Sequence, residues 1–171
     1  VPVENRLGAE GEGWKVTVSA LANERSSIGE VTQMFSKLDE LKDLVKRTRV
    51  QGKPAAEDPA VRRQLARFET KIAAMKYNGL RYLTKQIKGE PLSSETSVNK
   101  LHRASLEIEM DDFAVSLSGE AGLQLKGGEN AVGGGSWSKS ALNWPNVVIG
   151  GGTPNIQRNI IAERILGLPK D

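Results

Sequence analysis

The sequence predicts an all-α protein, an antiparallel four-helix bundle with a short additional helix. Two observations carry that prediction. Apolar residues recur at alternating three- and four-residue steps over segments far longer than a strand, which marks helices with one buried face. Glycine and proline fall between those segments, where they end one helix and cap the next. At 171 residues the chain amounts to one domain and can bury a sizeable core.

The first helix is predicted over residues 12–49. Its stripe is Trp14, Val18, Leu21, Ile28, Val31, Phe35, Leu38, Leu41 and Val45, and such length without a proline suits a bundle. Residues 51–59 read as a turn, with Gly52 and Pro54, then Asp58 as N-cap and Pro59 at the first helical position. The second helix carries Val61, Leu65, Phe68, Ile72, Met75, Leu83 and Ile87, with Gly79 in the same stripe, where it permits close helix approach. It stops at Gly89 and Pro91. The third starts near Ser93 or Ser94, lines one face with Val98, Leu101, Ser105, Ile108 and Val115, flanked by Leu106, Phe113 and Leu117, and ends near Gly119. Residues 119–136, rich in glycine, read as a flexible surface loop. No Lys-Ser/Thr follows these glycines, so they do not form a P-loop. A short helix over 138–148 leads to Gly150, Gly151 and Gly152. Thr153 is then an N-cap, Pro154 opens the last helix, and Ile156, Ile160, Ile161 and Ile165 form its apolar face until Gly167 and Pro169 stop it.

Composition narrows the function. The chain has no cysteine and a single histidine, which argues against thiolate or histidine metal sites, so no metal is expected. The net charge of +3 is spread along helices and predicts no nucleic-acid partner. No apolar run is long enough to span a bilayer. His102, Glu107, Glu109, Asp111 and Asp112 read as solvated positions on the third helix. Trp137 and Trp144 read as packing residues at the end of the bundle.

Two features could carry chemistry. A glycine loop running into a capped helix can present backbone N–H groups to an anion or cofactor, although an ordinary inter-helix turn has the same local pattern. Glu24 and Arg25 interrupt the first stripe between Leu21 and Ile28. Burying that pair needs compensation. Desolvation would raise the carboxylate and prepare it as a base near neutral pH; a structural ion pair or a rim position that snorkels to water would also account for it.

The stretch Gly152-Thr153-Pro154-Asn155-Ile156-Gln157-Arg158 resembles the Gly-Thr-x-x-Ile-Gln-Arg motif that opens the last helix of the acyl-CoA dehydrogenases. The opening, Val1 to Gly8 and then Gly11-Glu12-Gly13-Trp14, resembles the family's junction between its middle β-domain and its C-terminal helical domain. Asn23-Glu24-Arg25-Ser26 resembles part of that domain's first long helix. The resemblance implies a linker strand at 1–10 from an upstream domain, and a C-terminal bundle domain at 11–171 excised from a longer, cytoplasmic bacterial protein.

It also implies an activity: α,β-dehydrogenation of an acyl-CoA thioester, with FAD taking the β-hydrogen as hydride and an electron-transfer flavoprotein receiving the electrons. Most members place the proton-abstracting glutamate in the loop before the Gly-Thr motif; here those positions are Gly150 and Gly151. Isovaleryl- and long-chain-type members place it on the first helix, before an arginine, and Glu24-Arg25 matches that site. Glu24 would then be the base, Arg25 its orienting partner, and Gly150 and Gly151 a roomy wall beside the α- and β-carbons, suited to a branched, cyclic or bulky acyl group. Thr153 and Asn155 match flavin-contacting positions. The family's Arg-x-x-Phe-Gly segment, which reaches the flavin of a second subunit, has its nearest counterpart in Arg47-Thr48-Arg49-Val50-Gln51-Gly52; the phenylalanine is missing and the spacing is one residue off. Gln157 and Arg158 suit helix packing and ion pairing. The family implies a homo-oligomer, a dimer or tetramer. A non-catalytic subunit on the same fold, and a helical interaction module, are the competing readings.

Overall fold

The computed structural model describes residues 1–24, 28–90 and 94–170, with backbone alone at 21–24, 28 and 29. In chain order the helices are α1 (Gly13–Glu24), α2 (Ile28–Arg47), α3 (Pro59–Ile87), α4 (Thr96–Ser118), α5 (Ser136–Leu142), α6 (Trp144–Ile149) and α7 (Pro154–Arg164). Helices α2, α3 and α4 pack on one another, and α4 also carries α5, α6 and α7. The expected all-α bundle is therefore the observed one, with α4 as the shared wall between the core and the glycine loop.

The core lies between α2, α3 and α4. Leu38, Leu41, Phe68, Ile72, Leu106, Met110 and Ala114 are fully buried there, with Val31, Met34 and Met75 beside them. The predicted stripes of α2 and of the first half of α3 supply most of this set. Trp14 and Val18 depart from it, being 79% and 41% exposed. A stripe is buried only where a second surface meets it, and α1 lies at the surface of the described chain. Residues 25–27 fall outside the described residues, as do 91–93, which include the expected helix stop at Pro91 and the Ser93 start.

The predicted first helix ends at Arg47, because the next residues form a small hairpin. Arg49–Val50 (β1) pairs antiparallel with Lys53–Pro54 (β2). Gln51 and Gly52 both take positive φ, 50° and 78°, as a two-residue turn of this twist requires. The Arg49 guanidinium donates to the Gly52 carbonyl from Nε (3.0 Å) and Nη2 (2.6 Å). Helix α3 starts as expected: Asp58 Oδ1 accepts from the Ala60 N–H at 2.7 Å, and Pro59 occupies the first turn. Its buried face keeps to seven-residue steps through Val61, Phe68 and Met75, and Leu83 and Ile87, off that series, are exposed. Tyr82 is buried instead, and its hydroxyl donates to the Glu95 carbonyl at 2.7 Å.

Helix α4 differs more. Ser105, expected inside, faces solvent, and the buried set is Thr96, Ser97, Asn99, Ala104, Leu106, Met110, Asp111 and Ala114. A helix packed on several sides buries an arc wider than one stripe, and charge can enter that arc when it is paired. Asp111, expected to be solvated, is 3% exposed. Its Oδ1 lies 2.8 Å from Lys37 Nζ, and its Oδ2 accepts from Ser140 Oγ at 2.8 Å. Burial pushes the Asp111 carboxyl above its ordinary range, against the opposing pull of Lys37 and Ser140. Glu107 joins the network, 3.5 Å from Lys37, and Glu109 pairs with Lys71 at 2.5 Å.

The segment expected to be a flexible surface loop is mostly exposed, but Gly122 and Gly135 are buried within it. Two 3-10 turns span Gly119–Leu123 and Val132–Gly135. The buried Ser138 hydroxyl is shared between the carbonyls of Gly122 and Gln124, 2.8 Å from the second. Gly135 has φ +80°, and a Cβ there would stand 2.5 Å from the Lys126 nitrogen, so only glycine fits this crossing. The short helix expected at 138–148 is two helices, α5 and α6, parted at Asn143. Pro145 cannot donate to the turn before it and suits the first turn of a new helix. Trp137 is buried as expected, whereas Trp144 is half exposed.

Candidate active-site cleft

The glycine loop is held by the helix it precedes. Thr153 has extended φ/ψ, and its Oγ1 accepts from the Ile156 N–H at 3.4 Å, capping α7. Gly151 and Gly152 take φ +68° and +103°, a conformation that side chains disfavour. Gln157, one turn into α7, is 1% exposed. Its Nε2 donates to the carbonyls of Gly151 (2.9 Å) and Gly152 (3.3 Å). The inward face of α7 therefore turns on Gln157, with Ile160 and Ile161 partly buried, and Ile156 is half exposed rather than in the core. Arg158 donates to Asn155 Oδ1 at 3.1 Å. Replacing Gln157 with leucine keeps much of the volume and removes both donations. We expect it to lower unfolding stability by about 1–3 kcal/mol, read as a shift in urea midpoint at constant slope.

Beside the loop lies a cleft of about 270 Å³. Gly150 and Gly151 form one wall, Glu30 of α2 another, Lys100, Arg103 and Ala104 of α4 the floor, and Asn143, Asn146 and Val147 the α5–α6 side. Arg103 Nη1 meets Glu30 Oε1 at 2.5 Å. Lys100 Nζ donates to the Val147 carbonyl at 2.7 Å, and its Cε would lie 3.3 Å from a Cβ at Gly151. The loop thus rests on the lysine stem, where a side chain would press.

The structure brings Gly150 and Gly151 into this cleft, with Thr153 half-buried and Asn155 exposed at the adjoining helix start. Glu24 closes α1, but its side chain and the whole of Arg25 lie outside what is described. Arg47 does not join the cleft. It stands near the far end of α2, about 25 Å along the helix from Glu30, where its Nε donates to the Asp43 carbonyl at 3.1 Å. Sequence reasoning missed Glu30, Lys100, Arg103, Asn143 and Asn146. The i,i+4 pair of Arg103 and Glu107 (3.7 Å) and the i,i+3 pair of Asn143 and Asn146 are local; Glu30 and Lys100 join them only through tertiary packing.

His102, behind the cleft on α4, is half-buried rather than solvated. Burial, then Lys71, pushes its pKa below the ordinary imidazole range, while Glu109 pulls the other way. The folded state then binds this proton less readily than the unfolded chain. Its contribution is full above about pH 6.5 and is lost as pH falls through the lowered value. His102→Gln is expected to flatten the fall in melting temperature between about pH 7 and pH 5.

A glycine loop pinned by a glutamine thus faces a cleft between α2 and α4. Residues 11–166 match the family model described as acyl-CoA dehydrogenase, C-terminal domain. The chain belongs to the acyl-CoA dehydrogenase family. It is 34% identical to the acyl-CoA dehydrogenase IpdE1 of Mycolicibacterium smegmatis over 167 residues, which is 96% of this chain and 39% of that relative. Among solved structures, the ChsE4-ChsE5 complex from Mycobacterium tuberculosis superposes with a TM-score of 0.82 at 26% identity, covering 100% of this chain and 45% of the other. An acyl-CoA dehydrogenase from Geobacillus kaustophilus gives 0.76 at 26% identity, covering 95% and 41%. The chain thus spans less than half the length of these relatives.

Proposed function

We propose that this chain is the C-terminal domain, at residues 11–171 after a linker at 1–10, of an FAD-dependent acyl-CoA dehydrogenase that removes the α-proton of an acyl-CoA thioester with Glu24. The observation that carries this reading is the glycine wall. Gly150 and Gly151 edge a cleft and hold no carboxylate, so the base must come from elsewhere. Glu24 closes the helix that precedes the cleft wall at Glu30.

The residues present fit the edge of a flavin. The Thr153 hydroxyl accepts from the α7 backbone and keeps its own hydrogen to donate. Asn155 adds an exposed amide beside it, and Gly151 and Gly152 let a planar group approach the backbone. FAD, when bound, supplies the hydride acceptor for the β-hydrogen. In this reading Thr153 and Asn155 hold the ring system, Arg47 serves the site of a second subunit in a homo-oligomer, and Gly150 and Gly151 leave room at the reacting carbons. Arg25 fixes the Glu24 carboxylate toward the α-carbon. Closing the site strips water from that carboxylate and raises its basicity. An electron-transfer flavoprotein would take the electrons, in the cytoplasm.

The test is anaerobic mixing of the full-length flavoprotein with acyl-CoA thioesters. Bleaching of the flavin absorbance is the expected result, and a protein with bound flavin that no thioester bleaches rejects the activity. One observation favours a second reading, a non-catalytic subunit: the ChsE4-ChsE5 relative is a complex of two differently named chains. A full-length protein that purifies without flavin and acquires it only with a partner chain would support that alternative.

A further inference from the structure

The peptide that joins Gly151 to Gly152 has a glycine on either side, so it can turn over at little steric cost. Turning it would swap the directions of its carbonyl and its N–H. Gly151 lines the cleft, so the shape of that wall depends on which way this peptide points. Two contacts hold it. Gln157 Nε2 donates to the Gly151 carbonyl at 2.9 Å and to the Gly152 carbonyl at 3.3 Å. The Gly152 N–H donates to the Ile149 carbonyl at 3.2 Å. One buried amide therefore gathers two successive carbonyls to the same point. A turned peptide would lose its Gln157 and Ile149 contacts together.

Filling space does not explain an amide at this position. Gln157 is 1% exposed, and its Oε1 is buried with no hydrogen-bond partner among the described residues. Burying an unpaired acceptor is costly, and a leucine would not carry that cost. Turning the amide over would set Oε1 against two carbonyl oxygens, so the loop fixes the amide as the amide fixes the loop. Resting on the acyl-CoA reading above, we infer that Gln157 is a positioning residue for the reaction. It acts through Gly151 and Gly152, holding the glycine wall in the one peptide orientation that admits the acyl carbons of the thioester. Without it the loop samples a second orientation, and the apparent affinity falls with the competent fraction. Saturating substrate draws the loop back, so the loss falls on KM rather than on kcat.

The test compares the full-length flavoprotein with its Gln157→Leu and Phe68→Ala variants. The readouts are kcat and KM for flavin bleaching by an acyl-CoA thioester, the Kd of the matching enoyl-CoA, and hydrogen–deuterium exchange over residues 150–153. Gln157→Leu is expected to raise KM and Kd by about 10–100-fold with kcat nearly unchanged, and to speed exchange at the Gly152 amide. Phe68→Ala, destabilised through the α2–α3–α4 core, is expected to leave KM and Kd near those of the parent. Gln157→Glu is the second variant, and it carries the test if Gln157→Leu does not fold. As a carboxylate it sets acceptors against both carbonyls, and once protonated it regains a donor. Its Kd, relative to the parent at the same pH, is therefore expected to improve as pH falls. Unchanged KM and Kd in Gln157→Leu, an equal rise in Phe68→Ala, or a Gln157→Glu ratio indifferent to pH overturns this inference and leaves the dehydrogenase reading intact. Failure of every thioester to bleach the flavin-loaded parent overturns both.

Discussion

Replacing Glu24 with glutamine in the full-length protein is expected to slow acyl-CoA-dependent flavin bleaching by about 10²–10⁴-fold, the usual contribution of a positioned general base. The substitution exchanges one oxygen for an amide nitrogen, so it keeps the shape and removes the proton acceptor. Flavin content and melting temperature should therefore change little. The competing carboxylate in the cleft is Glu30. Its Oε1 lies 2.5 Å from the Arg103 guanidinium, an ion pair that proton abstraction would have to break. Glu30→Gln should thus cost far less rate than Glu24→Gln, although it loosens Arg103. The reverse ranking would move the base from α1 to α2. Equal rates for the parent and Glu24→Gln would remove Glu24 from the chemistry altogether.

The parts of this molecule that were legible in the sequence are those set by local physics. The Asp58-Pro59 and Thr153-Pro154 caps start α3 and α7 where expected, because a cap needs only its own N–H and φ. The Val61–Phe68–Met75 stripe is buried because α2 and α4 pack on α3. What was not legible depends on partners distant in sequence. Asp111 reads as a surface acid until Lys37 and Ser140 arrive from α2 and α5. Ser105, expected inside, faces solvent because α4 is packed on several sides at once and buries a different arc. Residues 119–136 read as loose from their glycines, yet Gly135 is there to let two backbones cross. The candidate site divides the same way. Its glycine wall and helix cap were visible, whereas its polar lining is assembled from α2, α4, α6 and the α5–α6 junction.

That division also separates stability from activity, and Phe68→Ala isolates the first. Phe68 is 0% exposed at the centre of the cluster formed by α2, α3 and α4. Its ring packs edge-on against Phe113, with centroids 5.7 Å apart. Truncation removes the transfer energy of the ring and leaves a cavity that Leu38, Ile72 and Leu106 cannot fill without moving off their rotamers. Such losses are about 3–5 kcal/mol, a large fraction of a domain's total stability. The expected result is a strongly reduced urea midpoint with an unchanged slope. Below the new transition, however, α4 still carries Lys100 and Arg103, and Gln157 still ties the glycine loop to α7. Bleaching rates per folded flavoprotein should then stay within about tenfold of the parent, far less than the loss expected at Glu24. A Phe68→Ala protein with the parent's stability would mean that the α2–α3–α4 core is not the frame that holds the cleft. A stable fraction with no bleaching would show instead that the cleft depends on the exact position of α4.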